Sequence, residues 1–282
     1  MPDPSKAVLI TGCSSGIGRA SAEHLAAKGH LVYASARKLE EIADLEAKGC
    51  RTIALDVSDE QSMRDAVDSI ENEEGAIAAL VNNAGYSQSG AVESVRMEDV
   101  RAQFETNVFG LVRMSQLVLP AMRRQGKGRI VNISSMGGRL TFPGGGIYHA
   151  TKYAVEAISD AMRFEVKGFG VNVVLIEPGL IKTQFAETAV GAIKAGTADD
   201  GPYGEFNQAV GASTADAYDG PLGRLGGGPE TVAKAIEKAL TRRRPRPRYP
   251  VTPSARLIMG QRRLLSDRMW DRFVGSQFPQ PQ

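Results

Sequence analysis

The chain has 282 residues, 42% of them hydrophobic and 23% charged, which is too apolar for a disordered protein and ordinary for a globular one. At this length roughly 75% of the unfolded surface can be buried, enough for one large domain or two small ones. The net charge of +2 hides an asymmetry: residues 241–282 hold ten arginines and two acids, +8, so the remainder carries −6. Two cysteines, Cys13 and Cys50, exclude a disulfide framework, and no Cys/His cluster points to zinc, so a reducing cytoplasm is expected.

Met1 to Ser5 lead into no signal-peptide pattern, and no run approaches the roughly 20 apolar residues of a membrane span. Short β-rich runs then occur at 7–11, 30–34, 52–56, 79–82, 129–134 and 172–177, nearly continuous in apolar character, as strands buried on both faces are. Between them, 17–28, 59–73, 98–124 and 147–166 read as helices; Ala150, Tyr153, Ala154, Ala157, Ile158, Ala161 and Met162 recur at helical spacing. This alternation predicts one α/β domain with a doubly wound parallel sheet over residues 1–282. After Pro178 the text changes. Residues 183–228 are rich in Gly, Ala, Ser and Asp, and we read them as a weakly structured substrate lid after the sixth strand. Pro229 to Leu240 is an Ala-rich helix with proline at its start. The basic segment 241–282 has the charge to meet nucleic acid or an anionic membrane. Its arginines alternate with Pro, Leu, Met, Trp and Phe, which favours a packed or partner-facing segment, and nucleic acid is not expected as a partner.

The first strand runs into Gly12, Ser14, Ser15, Gly16, Ile17 and Gly18 and then a helix. Glycines let main chain approach a diphosphate, and the free N–H groups of the helix start favour the anion. The spacing is GxxxGxG instead of GxGxxG, and a tight turn is the alternative. At the end of the second strand, where NAD sites place a carboxylate, the chain reads Ala36-Arg37-Lys38; Arg37 suits a 2′-phosphate and NADP(H) is preferred. Ser135 follows the fifth strand, and Tyr148 and Lys152 stand at i and i+4 on one helix face. A phenol is a poor base at neutral pH, and a nearby cation would lower its pKa. So tuned, Tyr148 would exchange a proton with a carbonyl or alcohol oxygen that Ser135 orients.

These motifs, in order, resemble the single-domain short-chain dehydrogenases/reductases: TGxxxGIG at 11–18, Leu55-Asp56-Val57, Asn82-Asn83-Ala84-Gly85, Asn107, Ser135, YxxxK at 148–152, and Pro178-Gly179 with Thr183. The match spans about residues 6–185. The resemblance implies a Rossmann-type sheet of about seven strands and a tetrad of Asn107, Ser135, Tyr148 and Lys152. It also implies that Lys152 binds the nicotinamide ribose, that Asn107 holds a water, and that Asp56 and Val57 flank adenine. Asn83, Ala84 and Gly85 would line the cofactor, and Pro178, Gly179 and Thr183 would flank its carboxamide. The text around Gly12 and Arg37 is similar to the 17β-hydroxysteroid dehydrogenase-like group. A homodimer or homotetramer is implied, with Phe104, Val108, Leu111, Val112, Ser115 and Leu119 as core or subunit interface.

The predicted function is therefore NADP(H)-dependent interconversion of a secondary alcohol and a ketone, with Phe185, Tyr203, Phe206 and Tyr218 as apolar contacts for a medium to large substrate. A non-catalytic redox sensor or scaffold is the alternative, and a sugar-nucleotide epimerase would need a larger C-terminal domain. Asp56 could instead cap a turn. Cys13 is expected to pack beneath the glycine loop, and His149 to lie on the helix surface.

Overall fold

The apolar runs become parallel strands because both of their faces find cover. The computed structural model describes residues 5–183, 201–220 and 223–280, without the side chains of 215 and 219. Its strands are β1 (Ala7–Ile10), β2 (Leu31–Ala36), β3 (Arg51–Ala54), β4 (Ala79–Asn82), β5 (Gly128–Ile133), β6 (Val171–Glu177) and β7 (Arg248–Pro250). They form one sheet in the order β3-β2-β1-β4-β5-β6-β7, every neighbouring pair parallel. The helices among the described residues are α1 (Gly16–Ala27), α2 (Glu60–Glu74), α3 (Met97–Phe104), α4 (Gly110–Arg124), α5 (Gly146–Glu165), α6 (Gly204–Asp219), α7 (Pro229–Thr241), α8 (Pro253–Leu264) and α9 (Asp267–Gly275).

Alternate residues of a strand leave by opposite faces. Val8 and Ile10 pack with Leu25 of α1 and Ile236 of α7; Ala7 and Leu9 pack with Ile70 of α2, Met114 of α4 and Met162 of α5. The sheet reverses its winding between β1 and β4, and the crevice at such a switch point is where open α/β sheets bind ligands. A chain of buried polar side chains fixes the helix layer beyond it. Asn82 Nδ2 donates to Asn132 Oδ1 (2.9 Å) and to Ser115 Oγ (3.2 Å), and Asn132 Nδ2 donates to Ser159 Oγ (2.8 Å). The two serines donate onward to the carbonyls of Leu111 and Val155, so α4, β4, β5 and α5 are joined in a fixed register.

The six strands read from the sequence stand within two residues of their expected ends. Three features differ. The seventh strand, β7, lies inside the basic segment; it is three residues long and ends in Pro250, which cannot donate to the ladder and suits a sheet edge. The helix expected over 98–124 is broken by a π turn at Glu105–Phe109 that carries Asn107. The segment 183–228 is not weakly structured throughout: α6 is a 16-residue helix. It is held by packing: Val210 lies against Gly144, and buried Asn207 accepts a hydrogen bond from Ala91 N (2.9 Å). Residues 184–200, which include Phe185, and 221–222 lie outside the described residues. The segment is pinned at both ends, by a parallel bridge between Ile181 and Gly227 and by Lys182 N donating to Gly227 O (2.9 Å). Among the described residues no helix is long and apolar enough to cross a membrane.

Replacing Asn132 by alanine removes one of the two acceptors of the Asn82 amide and the donor to Ser159 Oγ in a buried layer. Unmade buried hydrogen bonds cost about 1–3 kcal/mol, so denaturant unfolding of Asn132→Ala should report a loss in that range.

Candidate active site

The cleft at the switch point has a volume of about 560 Å³ and runs from the glycine loop past the ends of β4, β5 and β6 to α6 and the C-terminal helices. Local geometry explains the glycines. Gly12 has φ +72°, and a Cβ there would stand 2.9 Å from Ala84 Cα. A Cβ on Gly18 would meet Asn83 Nδ2 at 2.5 Å. Asn83 is the fastener: its Nδ2 donates to the carbonyls of Thr11 (2.8 Å) and Gly12 (3.0 Å), while Thr11 Oγ1 accepts from the main-chain N–H groups of Asn83 and Ala84. Ser14, Ser15, Gly16 and Ile17 line the cleft, and Thr183 lies across from Gly16. Helix α1 has no acidic residue in its first turn and no side-chain cap from Ser15, which leaves its N–H groups facing an anion site.

The far end of this arm is formed by Ala36, Arg37, Leu55, Asp56, Val57 and Ser58. Arg37 is exposed, and among the described residues no carboxylate pairs with it. Sequence reading missed Glu41, which lines the same end. Asp56 also fills the capping role weighed for it, since its Oδ1 accepts from Ser58 N (2.9 Å) and Ser58 Oγ (2.6 Å) while Asp59 caps α2. A dinucleotide fits these residues: backbone cradle, helix start and an unpaired guanidinium lie along one cleft.

At the centre, Ser135, Tyr148 and Lys152 line the cleft together, with Gly85, Pro178 and Gly179 beside them. Ser135 opens a 3-10 turn, and its Oγ accepts from Gly137 N (3.0 Å). Lys152 is buried, donates from Nζ to Ile133 O (2.8 Å), and lies 5.8 Å from the centre of the Tyr148 ring. Burial lowers its ammonium to about 8, opposed by the negative charge of Glu156. Burial also pushes the Tyr148 phenol above its ordinary value, and a hydrogen bond with Ser135 pulls the other way. Desolvation outweighs that bond at the phenol, while Lys152 Nζ also donates to the carbonyl of Ile133.

Asn107 does not reach the cleft wall. Its Nδ2 donates to Tyr86 O (2.9 Å) and Thr151 Oγ1 (3.1 Å), and its Oδ1 accepts from Tyr86 N (3.1 Å), so the side chain fastens the strand exit at Gly85–Tyr86 to α5. Behind Lys152 lies a buried acid pair. Glu156 Oε2 is 3.0 Å and Glu177 Oε1 3.4 Å from Arg248 Nε of β7, and Arg139 approaches both. Burial, reinforced by Glu156, holds Glu177 up at about 7.

His149 is buried, contrary to expectation. Its ring lies between Gly137 and Gly145, where an added Cβ would meet it at 2.6 Å, and its Nδ1 accepts from Phe142 N (3.3 Å). It lines the cleft, and burial lowers it to about 4. Of the four aromatics proposed as substrate contacts, Tyr218 lines the cleft; Tyr203 instead donates to Glu93, and Phe206 packs on Phe278 (6.4 Å). Sequence reading also missed the C-terminal wall of Ile258, Gln277 and Phe278, which is braced by Trp270 against Phe142 (5.8 Å). Cys13 is buried beneath the glycine loop, its thiol pushed up to about 12.

A family profile described as short chain dehydrogenase matches residues 6–192. The NADPH-dependent 3-dehydrocapnine reductase of Ornithobacterium rhinotracheale is 35% identical over 273 residues, 94% of each chain. A crystal structure of a short-chain dehydrogenase from Streptomyces avermitilis superposes with a TM-score of 0.77 at 32% identity, covering 96% of this chain and 97% of its own. A short-chain dehydrogenase/reductase from Burkholderia phymatum in complex with NAD gives 0.78 at 26% identity, with coverage of 96% and 95%.

Because His149 is held neutral, its contribution to stability is complete above about 6.5 and is lost as pH falls through about 4. Glu177 has the opposite sense: its raised value means stability falls as pH rises from the usual carboxylate range through about 7. Thermal unfolding of His149→Asn, which keeps an acceptor for Phe142 N, should therefore show a shallower acid loss between about 6.5 and 4 than the parent, with the Glu177 slope unchanged.

Proposed function

Since the chain belongs to the short-chain dehydrogenase family and is an oxidoreductase by that membership, we propose that it interconverts a ketone and a secondary alcohol with NADP(H), as a single catalytic domain. The observation that carries this reading is the convergence of Ser135, Tyr148 and Lys152 on the cleft that also holds the glycine loop. A nicotinamide cofactor held there would supply the hydride that reduces the carbonyl carbon. Gly12, Ser14, Ser15, Gly16, Ile17 and Gly18 hold its phosphates, Asp56 and Val57 flank its adenine, and Asn83, Ala84, Gly85, Pro178, Gly179 and Thr183 line the path to the reacting centre. Arg37 reads the 2′-phosphate. The NADPH named for the 3-dehydrocapnine reductase supports this choice; the Burkholderia phymatum neighbour is in complex with NAD, and in this chain Arg37 and Glu41, at one end of the cleft, are the side chains we propose decide between the two.

Tyr148 gives its phenolic proton to the substrate oxygen, which Ser135 orients through a hydrogen bond. A phenol held above its ordinary pKa is protonated at cellular pH and so is ready as an acid, while the working direction follows cofactor poise, which for NADPH favours ketone reduction. Lys152 contributes its charge and the ribose contact. With the Asn107 side chain committed to Tyr86 and Thr151, a water on the proton path is left to its main chain. Tyr218, Phe142 and Phe278 give the substrate end an apolar wall that suits a medium to large ketone. A homodimer or homotetramer would use the α4 and α5 faces, where Tyr153 of α5 and Phe109 of the π turn leading into α4 are exposed.

Fluorescence titration of Arg37→Ala should show NADPH binding weakened about tenfold, equivalent to about 1.4 kcal/mol, with NADH binding little changed. In Glu41→Gln, NADPH affinity should rise. Equal loss for both cofactors in Arg37→Ala would refute phosphate recognition. Tyr148→Phe should retain NADPH binding and lose ketone reduction by at least about 100-fold; retained turnover would refute its role, and a redox sensor would show no turnover in either form.

A further inference from the structure

The arginine-rich ending is only partly used inside the molecule. Arg248 pairs with Glu156, Glu177 and Asp160, and Arg262 pairs with Asp267 (2.6 Å) and covers the Trp270 ring. Arg263, Arg268 and Arg272 are exposed, and among the described residues no acidic side chain pairs with them. Beside them lies an apolar strip. On α8, Ala255 and Ile258 face inward while Leu257 and Leu264, seven residues apart, face outward, and Leu264 is 86% exposed. On α9, Trp270 and Val274 face inward, and the next stripe of the helix, Met269 and Phe273, is exposed. The two strips meet, since Leu264 and Phe273 line one shallow groove with Gln261 and Leu265.

We propose that this outer face of α8 and α9 docks on an anionic lipid bilayer. Exposed apolar side chains flanked by unpaired arginines are the two components of interfacial binding: burial in the acyl boundary and attraction to lipid phosphate. The surface lies on the bilayer and does not span it, consistent with the lack of a sufficiently long apolar helix among the described residues. A second copy of the chain is a poorer occupant, because a two-fold contact apposes the same patch of both copies and so brings two sets of Arg263, Arg268 and Arg272 into one interface. A nucleic acid would match the arginines and leave Leu264 and Phe273 in water. The same helix pair turns Ile258 toward the catalytic cleft, and Phe278, just beyond α9, lines it too. An apolar substrate held in the bilayer would thus sit beside the wall of the cleft.

The test is flotation of the full chain with vesicles of phosphatidylcholine alone and of phosphatidylcholine with phosphatidylglycerol, at low and high salt. Binding is expected to the anionic vesicles and to weaken with salt. The triple variant Arg263→Gln, Arg268→Gln, Arg272→Gln should lower partition roughly 100-fold, since each basic side chain near an anionic surface contributes roughly fivefold. The double variant Leu264→Glu, Phe273→Glu should abolish it; if that variant loses its native circular dichroism, Leu257→Gln, Met269→Gln serves in its place. No flotation, or flotation that the triple and the apolar variants leave intact, overturns the proposal. So does an apolar variant that lowers the oligomeric mass in light scattering while flotation persists, which would assign the face to a second copy. Because the readout is vesicle binding, the result is independent of cofactor choice and turnover.

Discussion

Placing an ammonium out of water is among the most costly things a folded chain does, with an effective penalty of several kcal/mol per ion. At Lys152 the cost is offset from two sides. The carbonyl of Ile133, at the end of β5, accepts one N–H, and Glu156, one helical turn further along α5, supplies the compensating charge. Glu156 is itself buried and depends on Arg248 of β7 and on Arg139 beyond the Ser135 turn. The position of one cleft lysine therefore rests on β5, α5, β7 and the loop after β5 at once. Through Glu177 it also rests on the end of β6, where Pro178 begins the opposite wall. The seventh strand is short, yet it supplies the arginine on which this arrangement closes.

Around that charge, hydration decides what the other groups can do. Tyr148 and His149 are neighbours in sequence, and both are displaced in the direction that keeps them neutral: the phenol upward, the imidazole downward. At this end of the cleft, away from Arg37, Glu41 and Asp56, Lys152 stands beside two neutral side chains as the positive centre. Charge developing on a substrate oxygen would have that centre and the Ser135 hydroxyl as its partners. In the proposed reaction, specificity for the carbonyl end then comes from position and not from a field of competing charges.

Much of this was legible because the sequence spells out geometry where geometry leaves no choice. Gly12 has positive φ and Gly18 sits against Asn83, so the loop reads as glycines at fixed spacing; Tyr148 and Lys152 are one turn apart on a helix, so they read as a pair. Five of the six longer strands are almost wholly buried and show as nearly unbroken apolar runs, while β3 lies part-exposed at the sheet edge. What escaped reading lacks a local signature. The strand β7 carries Arg and Pro, because its place is fixed by pairing with β6 at a sheet edge. Helix α6 has little apolar periodicity and is held by Asn207 and by Val210 against Gly144. His149 reads as a surface residue because its burial comes from the turns containing Gly137 and Gly145, which lie beside it only after folding. The arginines of the last 42 residues looked alike in sequence and divide in the fold between internal ion pairs and open solvent.

The bridge between Ile181 and Gly227 has a further implication. Where a chain leaves a sheet and returns through two neighbouring backbone positions, the excursion is topologically a side branch. Its length and composition can change without altering strand register, since doubling a flexible loop adds only about 0.6 kcal/mol of closure entropy. Variation beyond Thr183, which itself lies across from Gly16, leaves untouched the strand ends on which the glycine loop and Lys152 depend. In the proposed reading, residues of that branch that face a substrate can then change while the strand ends that hold the cofactor stay fixed.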